Sequence, residues 1–308
     1  MITCSCRRTG EEKSKETSHS ETTQVEKLNS AGVKEGKHDF TVQYFKPRRI
    51  YKIEKEDLNN DGNKEIIVLS VSKDSADRYS DYYNFDMLEV FALDAAQKSY
   101  IKILSDTVDY SIDCEYEDLA NDSTKQIIVK TNSGGNDKTM SEGMFIFEMT
   151  SNEKIRLLKF FDTGSPEIID IKNNGNKEII VSDLFYGVMP QNSAINFVKD
   201  IYRLENQDLI EKKSEFADFF DGKIKELLEK YYGIKRKVEM GMQPMNLSYP
   251  LYREAAEVII NYYSKGDMKE LKKFWDEEKE SLKKNIPTDE FQDLDNFILK
   301  ALPSAKNA

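Results

Sequence analysis

The nine residues Asp57-Leu58-Asn59-Asn60-Asp61-Gly62-Asn63-Lys64-Glu65 set oxygen donors at alternate positions. Asp57, Asn59, Asp61 and Glu65 stand first, third, fifth and ninth, and the seventh, Asn63, offers its backbone carbonyl. Ca²⁺ takes about six to eight hard oxygen ligands, so this spacing suits a calcium site. Gly62 supplies the sharp turn that gathers the donors. In an EF-hand a helix would leave such a loop and carry the last ligand at its twelfth position. Here Ile66-Ile67-Val68 follows at once, and three β-branched residues in a row predict a strand. The expected unit is a calcium-type loop that feeds a sheet.

The cassette returns twice with fewer donors. Asp118 to Gln126 leads into Ile127-Ile128-Val129, and Asp170 to Glu178 leads into Ile179-Ile180-Val181. Ala120 removes an oxygen donor and Gln126 a charge from the second copy, and Lys172 puts a cation at a ligand position of the third. The spacing is that of an internal repeat of blade or module size. Only the first loop keeps a full ligand set. The alternative for all three is a turn without metal, because Asn, Asp and Gly stabilise such turns through their own backbone.

At these residues the chain resembles the FG-GAP or VCBS-type repeats of integrin-α-like β-propellers, over roughly residues 40 to 213. The resemblance implies propeller-like blades and a Ca²⁺ cofactor held by Asp57, Asn59, Asp61, the Asn63 carbonyl and Glu65. It also implies a role in adhesion or ligand binding.

Catalytic constellations are harder to find. The chain has two histidines, His19 and His38, and neither stands in a motif with a nucleophile or an acid. A hydrolytic triad needs an imidazole positioned by folded structure. A glycosidase-like hydrolase working through paired carboxylates is the alternative function, since 56 acidic residues allow many pairs. Binding is favoured over catalysis. Equivalent loops of repeats project to one face, and the connections after the Ile-Ile-Val runs carry Tyr79, Tyr82, Tyr83, Phe185 and Tyr186. Aromatics among small polar residues suit a protein or carbohydrate ligand; the same rings could equally close the sheet edges.

The net charge of −11, with no basic block, argues against a nucleic-acid partner, whose phosphates demand clustered cations. No apolar run approaches the roughly 18 residues that a membrane helix needs. Between Arg7 and Lys37 few residues are aliphatic, and residues 1–37 are expected to be a disordered tether. A Cys near the start before such a tether resembles the mature end of a bacterial lipoprotein. That resemblance implies lipidation of Cys4, a membrane contact through the lipid alone, and an extracytoplasmic location. If the cysteine is incidental, the location is cytosolic. Cys114 stands where Ile53 stands in the first copy and is expected to be a small buried residue.

Each copy predicts four short antiparallel strands, starting with a strand over 38–45. From about Ser214 the apolar period lengthens to that of a helix. Four amphipathic helices are expected: the first ended by Gly233, the second started near Pro250, the third capped by Asp267 and the fourth by Thr288. The expected fold is mainly β, with propeller-like antiparallel blades from three internal repeats over 38–213. An all-α helical domain over 214–308 follows.

Overall fold

The computed structural model describes residues 47–74, 84–94, 99–152, 154–185, 195–242 and 244–302. The tether, Cys4, the strand expected over 38–45, and Tyr79, Tyr82, Tyr83 and Tyr186 lie outside the described residues. The described protein is mainly antiparallel β, in two open sheets, with a C-terminal helical region.

Seven strands follow one another across the first sheet: β1 (Arg48–Glu56), β2 (Glu65–Ser72), β3 (Phe85–Asp94), β4 (Ser99–Glu117), β5 (Gln126–Asn132), β6 (Glu142–Ser151) and β7 (Lys154–Phe161). The second sheet is β8 (Glu167–Ile169), β9 (Glu178–Phe185), β10 (Ile195–Glu205) and β11 (Asp208–Glu211). Pairing divides the first sheet at β4. Ser99 to Thr107 pair with β3, whereas Asp113 to Glu117 pair with β5, and Ser111 meets both neighbours. Tyr110 lies between the halves with φ of 58°, left-handed backbone that an aromatic residue rarely adopts. One strand therefore closes a four-stranded meander and opens the next. The sequence predicts two separate strands here, one ending the first copy and one entering the second loop, and the structure runs them together.

Each Ile-Ile-Val run is buried on both faces, as a run without polar alternation should be. Ile67 and Leu69 of β2 and Leu88 and Val90 of β3 pack with Ile127, Val129 and Phe147 of the second meander. On the opposite face of that meander, Ile128, Met144 and Ile146 pack with Ile179, Val181 and Leu204. The far face of β9 and β10 offers Ile180, Val198 and Ile201, which Phe216, Phe220 and Ile224 cover. Three layers of strand thus stack face to face and end against helices.

The long helices of the C-terminal region are α1 (Ala217–Glu239), α2 (Pro244–Lys265), α3 (Met268–Asn285) and α4 (Thr288–Ala301). Leu251, Tyr252, Ala255, Ala256, Val258, Ile259 and Ile260 are all buried, so α2 is enclosed nearly all round. It starts at Pro244 and carries Pro250 in its interior, against the expectation that Pro250 begins it. Proline's φ suits a helix, but inside one it removes a hydrogen bond and its ring crowds the carbonyl four residues before, and the enclosed apolar face outweighs that cost. Gly233 likewise does not end α1. The helix runs on to bury Val238 and stops at Gly241, whose φ of 73° suits a left-handed cap. Asp267 caps α3 as expected, accepting from the Glu270 amide at 3.2 Å. Pro287 rather than Thr288 is the capping residue of α4.

Candidate functional site

The first loop joins β1 to β2, and hydrogen bonds to its own backbone shape it. Asp57 accepts from the amides of Asp61 (3.1 Å) and Gly62 (3.0 Å), and Asp61 accepts from that of Asn63 (2.8 Å). The Asn63 bond leads the effects that hold the Asp61 carboxyl below its usual range. Glu65 turns inward and accepts from the Leu58 amide at 2.9 Å.

The other two loops repeat this pattern bond for bond. Asp118 accepts from Asp122 and Ser123, Asp122 from Thr124, and Gln126 from Leu119. Asp170 accepts from Asn174 and Gly175, Asn174 from Asn176, and Glu178 from Ile171. The fourth and sixth residues are left-handed in every copy: Asn60 and Gly62, Asn121 and Ser123, Asn173 and Gly175. Asn and Gly recur there because they tolerate that backbone. Much of the cassette is therefore explained by the turn, since the loops with broken ligand sets share it.

The loops also stack on one another. The Lys125 amide donates to the Leu58 carbonyl at 2.7 Å, and the Lys177 amide to the Leu119 carbonyl at 3.0 Å. Lys125 pairs with Glu56 and Lys177 with Glu117 across the same steps. Leu58 and Leu119 are buried beneath. A lysine in the eighth place of the cassette thus ties its loop to the one before.

Charge separates the three. Glu65, Gln126 and Glu178 occupy one position and are all buried. Gln126 is neutral. Glu178 is paired with Arg203 (3.0 Å), which also meets Glu205 and Glu215. Among the described residues Glu65 has no ion-pair partner, and its carboxyl is pushed up, first by burial and further by the charges of Asp61 and Asp57.

The donor set of the first loop suits a hard cation in kind: two carboxylates, Asp57 and Asp61, the Asn59 amide oxygen and the Asn63 carbonyl. Both Asp57 oxygens and Asp61 Oδ1 accept one amide bond each and keep lone-pair capacity, whereas Asp61 Oδ2 already accepts from the side-chain amides of Asn59 and Asn152. Glu65 differs from the expected ligand because it faces Leu58. Consistent with that, among the described residues no three or more acidic, His or Cys side chains converge on a point that would hold a metal. The third loop is unsuited, and Lys172 instead lies over the Phe216 ring at 4.8 Å.

Asn152, in the turn between β6 and β7, joins the first loop from the neighbouring meander. Its amide oxygen accepts from Asn59 at 2.9 Å and its amide donates to Asp61 at 3.1 Å. No sequence signal marks it, because the partners lie far apart in the chain. Phe185 ends β9, is 9% exposed and packs edge-on against Phe297 of α4 at 5.2 Å, within the helical core. Cys114 is buried, and its thiol is pushed up to about 12 by desolvation. Among the described residues four carboxyls are raised mainly by burial: Glu65, Glu148, Glu254 and Glu290. They lie on β2, β6, α2 and α4, and none is among the charges that perturb another.

Among the described residues no helix is long and apolar enough to cross a membrane. No protein-family model matches the chain, and no curated protein matches it.

Proposed function

We propose that this chain is a non-catalytic binding module built of propeller-like blades, and that its first loop takes Ca²⁺. The observation that carries the proposal is the difference in charge between equivalent buried positions. Glu178 is neutralised by Arg203, whereas Glu65 stands beside Asp57 and Asp61 with no cation among the described residues. A divalent ion on the open side of the loop would supply the missing charge. Asp57, Asn59, Asp61 and the Asn63 carbonyl would hold it, and Glu65 would contribute its field from behind. The ion would act as an electrostatic fastener, giving the loop a fixed shape.

The likeness to FG-GAP or VCBS-type repeats belongs to this reading, with adhesion or capture of a protein or carbohydrate ligand as its role. So does the extracytoplasmic, lipid-anchored setting drawn from Cys4. Calcium sites of extracellular modules work at about 10⁻⁴ to 10⁻³ M, so millimolar Ca²⁺ should raise the melting temperature. Asp61→Ala should abolish that rise, and Asp122→Ala should leave it in place. A rise that survives Asp61→Ala, or no rise in the unaltered chain, overturns the calcium assignment.

A further inference from the structure

Met240-Gly241-Met242-Gln243-Pro244-Met245 packs three of the ten methionines of the chain into six residues, so their grouping does not follow from composition. Met240 and Gly241 end α1. The Gly241 amide donates to the Val238 carbonyl at 3.0 Å and the Met242 amide to the Lys237 carbonyl at 3.1 Å. With Gly241 at φ 73°, this two-bond cap satisfies the last carbonyls of the helix and fixes the backbone of both flanking methionines. In such a cap the residue after the glycine commonly lays an apolar side chain back on the helix, against the position that Lys237 occupies here. Met242 nevertheless stays 56% exposed, and Met240 is 75% exposed.

Methionine is normally a filler of core gaps, and its thioether is a soft, polarizable donor. Soft sulfur ligands select Cu(I) and related monovalent ions over Ca²⁺, Mg²⁺ or Mn²⁺. A thioether carries no proton that a metal must displace, unlike a thiol or an imidazole. Three rotatable bonds let two such side chains, two residues apart on a fixed turn, meet at one ion. From these observations we propose that the Met240–Met242 turn is a thioether site for a soft monovalent cation, Cu(I) or Ag(I). The site is independent of the calcium proposal, because its donors reject hard ions.

Ag(I) is the probe, since it needs no reductant. The full chain, its accessible thiols first alkylated, is titrated with silver nitrate in chloride-free buffer, and the methionine methyl groups are followed by NMR. Saturable shifts confined to the methyls of Met240 and Met242 are expected. Met240→Leu with Met242→Leu keeps the tip apolar while removing the sulfurs, and should weaken binding by more than about tenfold. Met140→Leu, a change at another exposed methionine on a separate element, should leave binding unchanged. Retention of binding by the double leucine variant overturns the site. So do shifts that fall evenly on exposed methionines, or the absence of any shift.

Discussion

The first and third loops share one backbone and treat charge in opposite ways. In both, an aspartate clamps two amides, an asparagine and a glycine take left-handed backbone, and a buried glutamate accepts from the residue after the aspartate. At the third loop that glutamate meets Arg203, and the third position of the loop holds Lys172. At the first loop the glutamate feels the charge of two more acids and has no ion-pair partner among the described residues. Loop geometry is thus a poor witness for a metal, because the turn needs the same residues. On the proposed reading it is the distribution of charge that discriminates, and leaving out an arginine would make one of three like turns a cation site.

The largest test of this comparison is at Arg203. Removing one member of a buried ion pair strands the other, at a cost of about 3 kcal/mol or more. Arg203→Leu should therefore lower stability in chemical denaturation by roughly that amount. Glu178→Gln added to it should restore most of the loss, since glutamine can still accept from the Ile171 amide, as Gln126 does from Leu119. If the double variant is no more stable than Arg203→Leu alone, the pair is not what keeps Glu178 buried. The contrast with Glu65 would then lose its basis.

A smaller effect of opposite sign is expected at Glu65. Its carboxyl is raised above the ordinary 4.5 by burial, so the unfolded chain gives up this proton at lower pH than the folded one. The ionised group consequently costs stability. That cost is absent at low pH, sets in as pH rises past the unfolded value near 4.5, and is complete above the raised folded value. Without calcium, Glu65→Gln should be the more stable protein at pH 7, and its advantage should shrink as pH falls toward 4. With millimolar calcium the advantage should narrow, because the ion offsets the charge. Equal pH profiles for the two proteins would show that Glu65 is already neutralised.

Much of this architecture was legible in the residues, and the gaps have physical causes. Ile66-Ile67-Val68 and its two counterparts announce strands because β-branched runs suit a sheet buried on both faces. Asp267 announces a helix start because its carboxylate satisfies an orphan amide. Gly233 misled because glycine in a helix is merely costly, and the apolar face beyond it outweighs the cost. Tyr110 gave no signal because the neighbouring meanders, not its own preference, impose its backbone. Within the candidate site, Asp57 and Asp61 were readable from spacing. Asn152 was not, since its approach depends on how two meanders stack. The inward turn of Glu65 was equally hidden, because a ligand and a strap have the same side chain. Its outcome depends on the Leu58 amide that needs a partner.

The smallest effect is expected in the second loop. Ser123 occupies the sixth position with φ of 72°, where the other copies carry Gly62 and Gly175. An L-residue in that region costs about 1 to 2 kcal/mol. Glycine escapes this cost but loses more freedom on folding, by about 0.4 to 1 kcal/mol. The Ser123 side chain is exposed, and its amide bond to Asp118 at 2.8 Å is made by backbone that glycine also possesses. Ser123→Gly should therefore stabilise the protein by about 0.5 to 1 kcal/mol, seen as a higher urea midpoint with unchanged slope. The gain should be equal with and without calcium, because Ala120 leaves this loop without an oxygen at its third position. A lower midpoint would mean that the left-handed backbone at this position is not strained, and that glycine serves the other loops for another reason. A gain that depends on calcium would instead place an ion in the second loop, and the distinction between the loops by charge would have to be redrawn.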